Sequence, residues 1–278
     1  HLSQSTVSTH VSALENELGK KLIRRTARNF ELTEDGVKLY KYAIDILLLH
    51  RKAIMEVGGN GSEFLRIGTS SVPAQWFVPT ILSGFLKKNV NTQVEMTSAD
   101  SLDIIRRVKE GSLDIGFVGT KVEKQCKYIS LVNDHLVLAA PNTKKYQKIF
   151  VGESGSGESD LRQILESPFL ARRQYSGTMK EALGSLEYFG IKEEDLNIVA
   201  TFDSAEMLRD CVEAGMGISI LSYEMIKELH ERGTILIYRL PEKEFCRELY
   251  LIYKNESFLP EIVKKFIHYT EKYFKKEF

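Results

Sequence analysis

The sequence predicts an α/β protein in three parts: a small N-terminal helix and hairpin, one long helix, and two doubly wound lobes. Three observations carry this. "HLSQSTVSTHVSALENELGKKL" keeps one helical period and leads into a basic hairpin. A second helical pattern, from Glu34 to about Val57, stops at "GGNGS". Beyond it, short apolar runs alternate with helical patterns twice over, as in a parallel sheet covered by helices.

The bulk numbers bound these parts. At 278 residues the chain is long enough for two domains without disulfides or metals. Its 43% apolar and 27% charged content is that of a soluble globular protein. The 38 Lys and Arg balance 38 Asp and Glu, so any nucleic-acid binding must come from a local patch. Cys126, Cys211 and Cys246 are scattered and odd in number, which argues against a disulfide framework and for a reducing cytosol. No apolar run approaches membrane-spanning length and no signal peptide is visible, so no membrane partner is expected. The chain starts at His1 and not at Met, so a preceding piece is expected.

In the first helix, Val7, Val11, Leu14, Leu18 and Leu22 recur at helical spacing and line one face. Ser3 is placed to cap its start and Gly19 to end it. The other face carries Gln4, Ser5, Ser8, Thr9 and Ser12, where a solvated face would favour Lys and Glu. Short polar side chains suit a helix that fits closely against something polar. "KLIRR" and "NFEL" then read as two strands flanking Thr26-Ala27-Arg28 as a turn. Thr33 is a good N-cap, with Glu34 and Asp35 in the first turn of the long helix. Its stripe of Val37, Tyr40, Ile44, Leu47, Leu48 and Ile54 lies outside any domain and wants a partner, a second copy being the simplest. "GGNGS" at 58–62 reads as a flexible hinge.

The strands "FLRIGTSS", "TQVEMTS" and "LDIGFVGT" alternate with the helices "WFVPTILSGFLKK" and "SLDIIRRVKEG". "ISLVNDHLVLAAP" reads as one or two strands. A second group follows in "PFLARRQ", "TMKEALGSLEYFG", "LNIVATF", "SAEMLRDCVEAG" and "GISILS", then "ILIYRL", "RELYLIYK" and a helix from Pro260. The chain is expected to cross between lobes near Ala140-Pro141 and to return near 241–247. That gives lobe I as 64–140 with 247–278, and lobe II as 141–246, in a clamshell.

These residues carry a family resemblance. "LSQSTVSTHVSALENELGKKLIRRTARNFELTEDG" resembles the DNA-binding signature of LysR-type transcriptional regulators, through Ser3-Gln4, Val7-Ser8, Leu14-Glu15, Leu18-Gly19, Arg25, Leu32-Thr33 and Gly36. Ile23 replaces the usual Phe, and Thr9 stands where Arg is frequent. "EGSLDIGFVG", "YSGT" and "VEAGMGISIL" extend the resemblance over the whole chain. It implies a winged helix-turn-helix over 1–33, a linker and dimerisation helix with hinge over 34–62, and a periplasmic-binding-protein-like effector domain over 64–278. It also implies that one helix and most of a second precede residue 1, and that the partners are duplex promoter DNA and a second copy, as dimer or tetramer.

On that reading the first helix enters the major groove. Gln4 can read adenine through bidentate contacts, while Ser5, Thr6, Ser8 and Thr9 serve bases or phosphates. Lys20, Lys21, Arg24, Arg25 and Arg28 form a basic cluster facing no acid, suited to phosphates, with Arg28 at the turn placed to enter a minor groove. The alternative is a solvated helix and a solvated strand, which the motif disfavours. Dimerisation falls to Val37, Tyr40, Ile44, Leu47 and Ile54.

In open α/β sheets, ligands sit beyond the carboxyl ends of strands, where helix N-termini point. Such junctions here carry Ser70, Ser71, Ser98, Asp100, Ser101, Thr120, Ser176, Thr178 and Ser204, with Arg172 and Arg173 as charge partners. Helix starts bearing hydroxyls favour an anion. The competing reading is that each hydroxyl is only an N-cap, since Ser and Thr are the usual capping residues. Their convergence at equivalent ends of both lobes favours a small anionic effector, whose binding would pull the lobes together. "SSVPAQWFVP" is similar to a subgroup tied to sulfur-compound metabolism, which implies a sulfur oxyanion or its precursor; an amino acid or aromatic acid is the alternative.

No cofactor or metal is expected. "GESGSGESD" lacks the Gly-Lys-Ser/Thr of a P-loop, "GMG" lacks a third glycine, and the six histidines show no zinc spacing. No GxSxG elbow is present. Cys211, beside Leu208 and Val212, reads as core packing. A ligand-responsive regulator explains every part of the chain. A periplasmic-type solute-binding protein explains only the lobes, and an enzyme would need a catalytic set that is not visible.

Overall fold

The computed structural model describes residues 3–25, 30–57, 63–122, 126–150, 158–173, 176–240, 245–255 and 259–277. The chain divides into two compact units, His1–Ser62 and Glu63–Phe278. Arg28, the turn around it, the "GGNGS" hinge and the residues 241–244 of the expected return lie outside the described residues.

The first unit opens with α1 (Gln4–Leu18), capped by Ser3, whose hydroxyl accepts the Thr6 N–H at 3.3 Å. Gly19, at φ 62°, ends it in the left-handed conformation that glycine adopts without strain. Strands β1 (Ile23–Arg25) and β2 (Phe30–Leu32) pair antiparallel, and α2 (Glu34–Val57) follows. The Thr33 hydroxyl accepts the Gly36 N–H at 3.0 Å and donates to the Lys21 carbonyl at 2.6 Å, tying the start of α2 to the hairpin. A Cβ on Gly36 would lie 2.0 Å from the Leu22 carbonyl oxygen, so only glycine fits there.

Glu15 fastens α1 to the hairpin. Its carboxylate accepts Lys21 Nζ at 2.6 Å and the N–H groups of Leu22 and Ile23 at 2.8 and 3.2 Å. The hydrogen bonds from Lys21 and from these two N–H groups hold its pKa at about 2. Leu22 is buried, whereas Val7, Leu14 and Leu18 of the same expected stripe are exposed.

The second unit begins with β3 (Glu63–Thr69), α3 (Ser71–Gln75), α4 (Val78–Lys88), β4 (Thr92–Ser98), α5 (Ser101–Lys109) and β5 (Ile115–Val118). Strand β6 (Cys126–Pro141) is followed by α6 (Lys144–Phe150), α7 (Glu158–Leu165), β7 (Phe169–Arg172), α8 (Gly177–Tyr188) and β8 (Ile198–Phe202). Then come α9 (Ala205–Glu213), β9 (Ser219–Ser222), α10 (Tyr223–Glu231), β10 (Ile235–Arg239), β11 (Cys246–Lys254) and α11 (Glu261–Glu277). Helices α3, α6, α7 and α10 were not anticipated; Ser71, expected at the end of a strand, opens α3.

Strand β3 pairs parallel with β4 and β5, and β11 joins β5 to β6. This is the sheet of the first lobe. The second lobe is built on the far half of β6, which pairs with β9 and β10, while β7 pairs parallel with β8 and bridges at Phe169 to Ile218. "ISLVNDHLVLAAP" is thus one strand shared by both lobes. It changes partners between His135, opposite Cys246, and Leu136, opposite Ser222. The crossing therefore comes earlier than Ala140-Pro141, because a continuous strand carries the chain across and no loop is required.

The lobes share one core on their α3 and α10 side. Val72 and Phe77 of the first lobe belong to the same buried cluster as Leu208, Leu221 and Met225 of the second. A separate cluster around Phe169, Leu186 and Phe245 fills the rest of lobe II. Among the described residues no helix is long and apolar enough to cross a membrane.

Candidate functional site

Two sites were anticipated, and α1 carries the first. Gln4, Ser5 and Thr9 are exposed; Thr6 and Ser8 are half-buried. Thr6 shares a hydrogen bond of 2.8 Å with the capping hydroxyl of Ser3, and the Thr9 hydroxyl donates to the Ser5 carbonyl at 3.0 Å. Both hydroxyls thus already serve the helix. Gln4 presents an exposed amide on the first residue of the helix. No acidic residue occupies the first turn, so the positive end of the helix dipole is unopposed there.

The basic run is less free than the sequence suggests. Lys21 is paired with Glu15 at 2.6 Å, Lys20 stands 4.0 Å from Asp35, and Arg24 faces Glu31 across the hairpin. These acids are distant in sequence, so a linear reading finds the cluster unopposed. The Arg25 side chain, like Arg28, lies outside the described residues.

The second site is a cavity between the lobes. One lobe lines it with Ser70, Ser71, Asp100 and Ser101; the other lines it with Arg172, Ser176, Gly177 and Thr178. Arg247, from β11 where the chain returns, closes the wall. The cavity encloses about 20 Å³, room for little more than a water molecule. A Cβ on Gly177 would lie 3.5 Å from Ser101 Oγ, 3.8 Å from Thr120 Cβ and 3.9 Å from Arg247 Nη1, so the start of α8 meets the opposite lobe closely.

The capping geometry separates the two readings of the hydroxyls. Ser204 caps α9 by accepting the Met207 N–H at 3.1 Å and also donates to Glu206 at 2.6 Å. It is a cap and is not part of the cavity lining. Ser70, Asp100 and Ser176 hold the N-cap positions of α3, α5 and α8, yet none makes a side-chain cap bond. The buried Ser101 hydroxyl accepts the Gly119 N–H at 3.2 Å. Ser98 is exposed at the end of edge strand β4, and Thr120 stands just behind the lining. Of the nine residues anticipated, the structure leaves Ser98, Thr120 and Ser204 outside the lining.

Two buried guanidinium groups dominate the electrostatics. The Arg172 side chain is 6% exposed and donates through Nη2 to Asp100 Oδ1 at 3.1 Å, from one lobe to the other. Its buried Nε–H has no hydrogen-bond partner among the described residues. Burial lowers the Arg172 pKa from its ordinary value, with Asp100 the largest opposing influence. Arg173, anticipated beside it, is exposed and stands 3.8 Å from Asp203. Arg247 is also 6% exposed and donates through Nε and Nη2 to Oδ2 of fully buried Asp134, both at 2.9 Å. Ser222 donates to the other carboxylate oxygen at 2.5 Å. Sequence reasoning missed Arg247. Its only signal is that it stands opposite Asp134 in the strand pair, with apolar residues two positions away on each strand: Phe245 and Leu249, Val132 and Leu136.

The cavity thus brings together hydroxyls unspent on caps, helix starts and two buried guanidinium groups, chemistry that suits a negatively charged group. Among the described residues no cluster of His, Cys, Asp and Glu is arranged to hold a metal.

Comparison with known proteins places the chain. Residues 59–275 match the family model of the LysR substrate binding domain, and residues 1–37 match that of the bacterial regulatory helix-turn-helix protein, lysR family. The HTH-type transcriptional regulator MJ0300 of Methanocaldococcus jannaschii, itself uncharacterized, is 29% identical over 274 residues, covering 98% of this chain and 90% of that protein. In fold, the chain is similar to full-length CbnR complexed with its target DNA, at TM-score 0.69 and 20% identity over 98% of this chain and 91% of that one. It is also similar to the CcmR regulatory domain of Synechocystis PCC6803 in complex with 2-PG, at TM-score 0.68 and 20% identity over 78% of this chain and 99% of that one. The chain belongs to the LysR family of helix-turn-helix transcriptional regulators.

Proposed function

We propose that this regulator reads duplex DNA with α1 and senses a small anion in the cavity between its lobes. The cavity carries the reading: Arg172 and Arg247 converge there with Ser70, Ser71, Ser176 and Thr178, a set suited to an oxyanion or carboxylate. A solute-binding role would leave α1 and the stripe of α2 without a use. That CbnR is seen on its target DNA and the CcmR domain with 2-PG supports the same division of labour here. Helix α2 joins two copies, placing two α1 helices on a two-fold symmetric site; the family's tetramers add contacts through the lobes.

A labelled duplex from the regulator's own promoter, titrated against a random duplex, tests this. Gln4→Ala is expected to weaken specific binding by about 1–3 kcal/mol, the worth of one bidentate base contact, and to leave random binding nearly unchanged. Equal weakening of both would make Gln4 a phosphate contact. No preference for the promoter in the parent protein would overturn the DNA-reading role.

A further inference from the structure

Resting on the anion reading of the same cleft, we propose that Asp100 is a built-in stand-in for the effector: its carboxylate holds Arg172 across the cleft until the effector's anionic head takes its place. Asp100 sits at an N-cap position that suits its side chain. It makes no cap bond there and reaches the opposite lobe instead, at 3.1 Å. The contact uses only Nη2 of the guanidinium. Arg172 Nε–H is buried and unbonded among the described residues, a costly state for a donor. A carboxylate or oxyanion approaching side-on can accept from Nε and Nη2 together, the paired geometry that a guanidinium fork favours. The effector can therefore offer Arg172 what Asp100 does not.

Exposure sets the direction of exchange. The Asp100 side chain is 39% exposed and can swing into water, whereas Arg172, at 6%, cannot leave. Charge sets the class of ligand. Arg247 is already neutralised by Asp134, so release of Asp100 leaves Arg172 without its contacting carboxylate, with Glu206 and Asp203 the other acids that act on it. A head bearing a single negative charge restores the balance. Space favours the exchange, since the cavity beside Asp100 and Arg172 is only about water-sized, at about 20 Å³. The lobes are also bridged by Gln75, which donates to Glu206 and accepts from Arg209 at 3.4 Å. Ligand binding thus swaps one bridge for another instead of shutting an open clamshell.

Calorimetric titration of the full chain with sodium acetate and sodium sulfate, at ionic strength fixed with chloride, tests the exchange. For the tighter of the two probes, Asp100→Asn and Asp100→Ala are expected to lower the dissociation constant roughly tenfold or more, the worth of one charge-assisted hydrogen bond. Asp103→Asn, which removes a carboxylate paired with Arg106 on the same helix, is expected to leave the constant unchanged. Arg172→Gln is expected to abolish binding. Equal or weaker binding by both Asp100 variants, with Arg172→Gln still inactive, would overturn the stand-in and leave the anion site standing. An equal gain from Asp103→Asn would also overturn it, as an effect of bulk charge. Binding that survives Arg172→Gln, or no binding by the parent and Asp100 variants alike, would overturn the site and the stand-in together.

Discussion

Arg247→Met is expected to destabilise the 63–278 unit by about 3–5 kcal/mol, because it leaves a buried carboxylate without its cation. Asp134 is fully buried and, among the described residues, retains the Ser222 hydroxyl alone once Arg247 is gone. The pair also fixes the place where β6 changes partners, since Arg247 stands directly opposite Asp134 in the ladder. Urea unfolding of the full chain, following the larger transition, measures the loss. The double variant Asp134→Leu with Arg247→Met is expected to recover most of it, since replacing both members of a buried pair by apolar groups is often neutral. Recovery would show that the unpaired charge, and not lost packing, caused the damage.

Replacing Ile44 and Leu47 together by Glu is expected to yield monomers in sedimentation and to weaken promoter binding by more than about 100-fold, the gain that linking two half-site contacts supplies. On α2, Val37, Tyr40 and Leu47 are 43%, 52% and 66% exposed, and Ile44 is half-buried. The Ile54 side chain lies outside the described residues. Apolar side chains at this spacing on a helix of 24 residues form a seam that a second copy can cover symmetrically. An unchanged dimer would place the contact elsewhere.

The first unit was legible because its devices are local. Ser3, Gly19 and the Thr33 cap of Gly36 act within a turn of themselves, so spacing places them, whereas the Thr33 bond to the Lys21 carbonyl needs the fold. Gly36 was legible only as part of a motif; its reason, the Leu22 carbonyl against its α-carbon, needs the fold. The lobes were legible as a βαβ rhythm, but β6 was not legible as one shared strand, because nothing local distinguishes one long strand from two. Helix α10 escaped for a related reason. Its N-cap residue Ser222 is also the last residue of β9, so strand and helix meet with no loop between them to mark the start. In the cavity, hydroxyls at strand ends were visible, while the difference between capping Ser204 and non-capping Ser176 is a matter of rotamer. Arg247 looks like one polar residue in an alternating strand until its register with Asp134 is known.

An effector can bias the DNA-bound form only if it binds that arrangement with a different affinity from the alternative. The direct measurement is the bend of an end-labelled promoter duplex, followed by fluorescence energy transfer with the full chain bound. Sulfate and acetate are titrated in turn at constant ionic strength, in the parent protein and in Arg172→Gln. A bend that shifts with at least one anion in the parent and stays fixed in Arg172→Gln is the expected result. An identical response in both proteins, or a parent bend that neither anion moves, would contradict control of DNA by an anion held at Arg172.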